Sequence, residues 1–274
     1  MRITNYTIIV ALVFLTVSAA TTSCKKGCTD EMASNYSQKA KKDNGTCLLI
    51  AEPLPAGLKY NRIMPLGASR VEGDRPNFES FRYELWKDLK ENNLVFDFVG
   101  MESDPASYPL FNGLDFDTDH EGNSGWTSAE ILNGIATSLS QINSPDIILF
   151  SSPGGNDALK NYPIDETISN INSIIDVLQS NNPNVKILIE QMAPARSDIM
   201  TATLTDYINS LHGEVLIIAA NKSTSTSQII PVDMYTGFTD DFLADDVHYN
   251  ELGADFLASR YYAVLENILE QNLD

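Results

Sequence analysis

Positive charge is scarce in this chain. Eighteen lysines and arginines stand against 37 aspartates and glutamates in 274 residues, for a formal net charge of −19. Such a balance repels the phosphate backbone of nucleic acid and anionic membrane surfaces, so neither is expected as a partner, and a neutral substrate fits better than a polyanion. Solubility alone would explain the same acidity equally well. Cysteine is almost missing: there are three, all before residue 48. No disulfide framework or cysteine-rich metal site can therefore organise the rest of the chain. Histidine occurs only at 120, 212 and 248, which leaves few imidazoles for proton transfer near neutral pH.

Other signatures are missing too. No zinc-ligand spacing, phosphate-binding glycine loop or dinucleotide fingerprint occurs, and neither cofactor nor metal is expected. In "DFDTDHEGN" Asp115, Asp117 and Asp119 alternate as in a calcium loop, but His120 stands where glycine is needed and Trp126 where glutamate is. A GxSxG elbow is lacking around Ser69, because Val71 holds the place of its second glycine, which argues against an α/β-hydrolase.

What is present begins with a targeting pattern. Arg2 precedes an uninterrupted apolar or small run over residues 8–20, too short to span a bilayer comfortably and suited to a cleaved signal peptide. The run ends in "ATTSC", which resembles a bacterial lipoprotein box with Cys24 as the lipidated residue; ordinary cleavage nearby would leave Cys24 free. "GCTDEMASNYSQKAKKDNGTC" resembles a short cysteine-bounded module of bacterial secreted proteins, which implies a Cys28–Cys47 disulfide in an oxidising compartment. Cys24 is then the odd cysteine, as lipidation would require. The expected organisation is a signal peptide over 1–23, a tether over 24–58 and one large domain over 59–274. The protein is expected to be exported, periplasmic or at the cell surface, with membrane contact only through a lipid anchor.

From residue 59 onward, strand-like and helix-like runs alternate. "RIMPLG", "LVFDFVG" (94–100), "DIILFSS" (146–152), "VKILIEQ" (185–191) and "QIIPVDM" (228–234) read as strands. Helical spacing appears after Pro76 (Phe78, Phe81, Leu85, Leu89), over 131–139 (Ile131, Ile135, Leu139), over 165–180 (Ile168, Ile171, Ile175, Leu178), near 202–212, and over 251–271 (Leu252, Phe256, Val264, Ile268). "GEVLIIAAN" is compatible with either state. This alternation implies a largely parallel sheet covered on both faces, with its ligand crevice beyond the carboxyl ends of the strands.

Four segments fall at that rim: "LGASRVEG" with Ser69, "HEGNSGWTSAEI" with Gly125, "PGGND" with Asn156, and "DDVHYNELG" with Asp245 and His248. Together they can perform acyl transfer. Ser69 needs an imidazole to take its proton, and His248 needs a carboxylate to orient it. Asp245, three residues before His248, is the expected orienting acid, with Asp246 the alternative. Ser69 N–H, Gly125 N–H and the Asn156 amide are the candidate oxyanion donors.

In these four segments the chain resembles the SGNH (GDSL-type) hydrolases over roughly residues 59–270. "GASRVEG", "SGWT", "GGND" and the DxxH pair correspond to blocks I, II, III and V in family order. The resemblance implies a three-layer α/β/α sandwich with a mostly parallel, five-stranded, flavodoxin-like sheet. It also implies a Ser69–His248–Asp245 triad with Ser69, Gly125 and Asn156 around the oxyanion. "DHEGNSGW" and "VDMYTGF…DDVHYNELG" resemble the carbohydrate-esterase branch, which implies acetyl esters on carbohydrate, or a small ester, as substrate. Lipid or phospholipid acyl hydrolysis is the alternative within the fold. Ala68 departs from the pattern, since this family carries aspartate before the serine, and it raises a second alternative, an inactive surface glycan-binding protein. His120 is expected to be structural, His212 to sit at a helix end where it suits the dipole, Asp157 to be structural, and Trp126 to pack within its loop.

Overall fold

The computed structural model describes residues 61–269 together with Lys26, Lys39, Lys41 and Lys42. The signal segment 1–23, Cys24 and the Cys28–Cys47 pair lie outside the described residues. The chain divides into two units, Met1–Leu54 and Pro55–Asp274. In the first, an isolated parallel bridge joins Lys26 and Lys42.

The second unit runs β1 (Asn61–Gly67), α1 (Ser69–Glu72), α2 (Arg82–Glu91), β2 (Phe96–Phe98), β3 (Glu102–Ser103), β4 (Asp119–Gly122), α3 (Ser128–Gln141) and β5 (Ile147–Phe150). It continues with α4 (Gly155–Leu159), α5 (Ile164–Asn181), β6 (Lys186–Gln191), α6 (Ala202–Lys222), β7 (Ile229–Asp233), a 3-10 turn (Asp240–Phe242) and α7 (Glu251–Leu265). β5, β6 and β7 extend the sheet from one side of β1, all parallel. On its other side β1 has two short parallel partners in line, β2 beside Asn61–Ile63 and β4 beside Leu66–Gly67. Five parallel positions result, one of them shared by two strands, and β3 adds an antiparallel edge on β4 to make seven strands.

Strand side chains alternate between two cores. Ile63, Ile147, Leu149, Leu188 and Val232 face α2 and α7, while Met64, Leu66, Ile148, Phe150, Ile187 and Ile189 face α3, α5 and α6. Nearly continuous apolar runs are what a sheet buried on both faces requires. On α5, Ile171, Ile174, Ile175 and Leu178 form one buried stripe, and each such side chain contributes about 1.5–3 kcal/mol of burial energy. Among the described residues no helix is long and apolar enough to cross a membrane.

Some local expectations fail for identifiable reasons, and one open reading is decided. The helix expected from Pro76 begins only at Arg82, because Glu79 pairs with Tyr249 in a short antiparallel bridge that holds Phe78 out of helical geometry. "GEVLIIAAN" is helical, continuing α6 to Lys222. His212 therefore lies within that helix and not at its end, with its ring against the Met192 carbonyl at 3.1 Å. On α7 the fully buried stripe is Gly253, Ala254, Leu257, Ala258, Tyr261 and Leu265; Phe256, Val264 and Ile268 pack half-buried against the same core as expected, and of the expected residues only Leu252 points to solvent. Small residues dominate that stripe where the helix comes closest: a Cβ on Gly253 would lie 2.1 Å from the Phe242 carbonyl oxygen.

Candidate active site

In a sheet where β1 is flanked on both sides, the crevice opens beyond the ends of β1 and β5, where the connections lead to opposite faces. Ser69 lies there, two residues beyond β1, as the first residue of α1. The Ala68 carbonyl accepts from Val71 N (2.9 Å) and Glu72 N (3.0 Å), forming the tight turn that presents Ser69. Ala68 contributes no side-chain cap to this turn.

His248 is delivered by the loop between the 3-10 turn and α7. Asp245 Oδ1 accepts from Val247 N (2.8 Å) and His248 N (2.7 Å), folding the loop around its carboxylate. Asp245 Oδ2 then meets His248 Nδ1 at 2.7 Å, and His248 Nε2 meets Ser69 Oγ at 2.8 Å. With Nδ1–H donated to the carboxylate, Nε2 is the acceptor for the serine proton. Partial desolvation pushes the Asp245 carboxyl up, but the hydrogen bonds from Val247 N and from the ring and backbone of His248 outweigh it and hold the group below its ordinary value. Asp246 turns away to Arg196, 2.5 Å from Nη2.

Asn156 stands on the first turn of α4, after Gly154 in the left-handed region at φ +78°. A side chain at Gly154 would also collide with Thr167, its Cβ lying 2.6 Å from Cγ2. One amide hydrogen of Asn156 goes to the Trp126 carbonyl at 2.8 Å, and the second is left for the cleft. Gly125, at φ +77°, lies one residue before Trp126. The Gly125 loop is fixed by Ser124 N donating to Glu72 Oε2 at 2.5 Å, by Lys160 Nζ donating to the Gly125 carbonyl at 2.9 Å, and by Thr127 N and Oγ1 donating to Glu130 Oε2 at the start of α3. Ser69, Gly125, Asn156 and His248 thus border one open cleft of about 330 Å³, with Glu72, Asp74 and Ser124 on its polar rim. A second, narrower cavity of about 50 Å³ shares Ser69 and Asn156 but is walled by Trp126, Ile131, Leu159, Met192, Leu204 and Ile208.

Phe78 is the site residue that sequence periodicity assigned elsewhere. Its ring stacks on the His248 imidazole, centroids 3.9 Å apart and planes inclined by 13°. Glu72, to which the sequence assigned no role, also belongs to the site, since its link to Ser124 ties the Ser69 turn to the Gly125 loop. No pattern in the sequence marks either contact. His120 is buried and accepts from Gly122 N at 3.0 Å; burial, with the nearby Arg82 charge, pushes its imidazole down to about 3, so it stays neutral. Asp157 is a buried strut that accepts from Ser128 N (2.8 Å) and Ser128 Oγ (2.6 Å). Among the described residues no cluster of three or more His, Cys, Asp or Glu side chains could hold a metal ion.

No protein-family profile matches the chain, and no curated protein does. Solved structures do. A carbohydrate esterase family 3 protein from Talaromyces cellulolyticus aligns with a TM-score of 0.64 and 28% identity, over 76% of this chain and 97% of its own. An acetyl esterase mutant solved with an acetate ion aligns with a TM-score of 0.64 and 29% identity, over 76% and 97%. A family 3 carbohydrate esterase from Clostridium thermocellum aligns with a TM-score of 0.62 and 28% identity, over 77% and 100%. The class that these matches and the mostly parallel α/β fold define is that of the ester hydrolases. Within it, the chain is related to the SGNH hydrolases.

Proposed function

We propose that the protein is a serine esterase that removes short acyl groups, acetyl foremost, from carbohydrate esters through Ser69, His248 and Asp245. The observation that carries this reading is the unbroken hydrogen-bond chain from Ser69 Oγ through both ring nitrogens of His248 to Asp245. Ser69 Oγ attacks the ester carbonyl carbon while His248 Nε2 takes its proton. The oxyanion develops against Ser69 N–H, Gly125 N–H and the free Asn156 amide hydrogen. His248 returns the proton to the departing sugar oxygen as the ester bond breaks. A water, deprotonated by His248, then attacks the acyl-enzyme carbonyl; the acyl–Oγ bond breaks, His248 passes the proton to Ser69 Oγ, and the carboxylate leaves.

The two spaces beside Ser69 support the substrate class. A narrow apolar cavity suits a short acyl group, and the open cleft, rimmed by Glu72, Asp74 and Ser124, offers hydrogen-bond partners to a hydroxyl-rich alcohol. The carbohydrate and acetyl esterases among the similar structures point the same way. Export, with Cys24 as lipid anchor and a Cys28–Cys47 disulfide, belongs to the proposal on the N-terminal sequence pattern alone.

The test is hydrolysis of an aryl acetate and of acetylated xylan by the chain without residues 1–23 and by its Ser69→Ala variant. Acetate release that vanishes in the variant is expected. A folded but inert parent protein would favour the glycan-binding alternative, and activity that survives Ser69→Ala would remove the nucleophile from this reading.

A further inference from the structure

We infer that Arg70 is a positioning residue that holds Ser69 and His248 at reaction distance; this rests on the proposed serine-esterase mechanism. Arg70 follows Ser69 directly, yet its side chain turns inward and is only 9% exposed. Its guanidinium donates to Val247 O (2.8 Å), Ala193 O (2.9 Å), Pro194 O (3.1 Å) and Ser152 Oγ (3.2 Å), and lies over the Tyr249 ring at 4.8 Å. These acceptors come from the segments after β5 and β6 and from the histidine loop. One arginine therefore joins the strand-end loops that border the cleft.

The bond to Val247 runs alongside the catalytic contact. Val247 precedes His248 and Arg70 follows Ser69, so the two loops are linked twice, once by Ser69–His248 and once by Arg70–Val247. Behind Arg70 sits Glu190 on β6, wholly buried. Glu190 accepts from Ser152 N (2.8 Å) and from Tyr261 OH (2.7 Å). Ser152, in the left-handed region at φ +47°, bridges the Arg70 guanidinium and the Glu190 carboxyl. Burial outweighs the hydrogen bonds from Tyr261 and Ser152 and the Arg70 charge, and holds the Glu190 carboxyl above its ordinary value. Such a buried, bridged polar network adds little net stability compared with a packed apolar substitute, whereas a fork with four fixed acceptors specifies geometry. Geometry is what the chemistry needs, since a displacement of about 1 Å between reacting groups costs on the order of 100-fold in rate.

The experiment compares Arg70→Met, Arg70→Lys and a control, Arg260→Met, with the parent chain. Arg260 also holds two loop carbonyls, those of Asp233 and Thr236, but outside the cleft. Two measurements are made on each folded protein: kcat and KM for an aryl acetate, and hydrogen exchange of the peptide covering residues 244–249. Arg70→Met is expected to lose about 100-fold in kcat with KM within about threefold, and to exchange faster in 244–249 while α5 stays protected. Arg70→Lys, which keeps the charge but cannot reach all four acceptors, is expected to lose about tenfold. Arg260→Met is expected to keep its kcat.

A folded Arg70→Met with kcat within twofold of the parent overturns the inference. So does a loss of kcat with unchanged exchange in 244–249, or a loss matched by Arg260→Met. If Arg70→Met does not fold, Arg70→Lys decides, and parental kcat and exchange in that variant overturn the inference. If the parent itself hydrolyses no ester, the esterase reading fails; the exchange comparison then decides alone, with local loosening in favour and no change against.

Discussion

The acyl group should lie in the apolar cavity beside Ser69, and its size should set the chain-length preference. That cavity holds about 50 Å³, room for roughly three or four water-sized groups. Met192 is one of its walls, and a Cβ on Gly155 would lie 3.6 Å from the Met192 sulfur, so Met192 packs against the turn that carries Asn156. Met192→Ala removes three side-chain heavy atoms and extends the cavity by about two methylenes. At ~0.8 kcal/mol for each buried methylene, a butyryl ester gains about 1.6 kcal/mol over an acetyl ester, or ~15-fold in relative kcat/KM. The assay is kcat/KM for aryl acetate, butyrate and hexanoate with parent and variant. The variant should lose about 2–5 kcal/mol of stability, so it is assayed well below its melting temperature. An unchanged butyrate-to-acetate ratio in folded Met192→Ala would refute this placement and move the acyl group to the open cleft.

Asn156→Ala should lower kcat by about 10²–10³-fold with little change in KM; steady-state kinetics checks it, and a loss under threefold would remove Asn156 from the oxyanion site. Phe78→Ala removes the ring stacked on His248, and a contact of about 0.5–1.5 kcal/mol should lower kcat by roughly 2–10-fold, read in the same assay. Burial raises the Asp117 carboxyl from 3.8 to about 7, against hydrogen bonds from the Phe98 and Asp119 amides. The folded chain thus keeps a proton that the unfolded chain releases, and the stability so contributed is full below about pH 4 and lost as pH rises through about 7. Asp117→Asn should leave melting at pH 4 nearly unchanged and raise stability at pH 8 by ~2–4 kcal/mol; equal effects at both pH values would contradict the titration.

The buried strands were legible because "DIILFSS" and "VKILIEQ" are apolar on both faces, a pattern that only a covered sheet accommodates. The shared position of β2 and β4 was not, since four residues of "DHEG" carry no apolar periodicity and pair only through tertiary contact. Phe78 misled for the opposite reason. Its spacing from Phe81 and Leu85 matches a helix, yet the Glu79–Tyr249 bridge overrides local propensity and turns the ring onto His248. "GEVLIIAAN" was undecided because β-branched and helix-forming residues balance in it, and continuity with α6 decides the state. The contact between Asp245 and His248 could be read from their spacing because a three-residue offset suffices for a carboxylate to close a turn on an imidazole. Arg70 could not: an arginine in a loop reads as surface charge, and its four acceptors lie between 82 and 177 residues away in the chain.

Labelling with a fluorophosphonate, followed by peptide mass spectrometry, addresses Ser69 most directly, because the reagent bonds only to a serine whose proton a neighbouring base can take. The adduct is expected on Ser69, lost in Ser69→Ala and strongly slowed in His248→Ala, with esterase activity falling in step with labelling. An adduct on another residue, or ester hydrolysis that continues after Ser69 is fully labelled, would contradict the assignment.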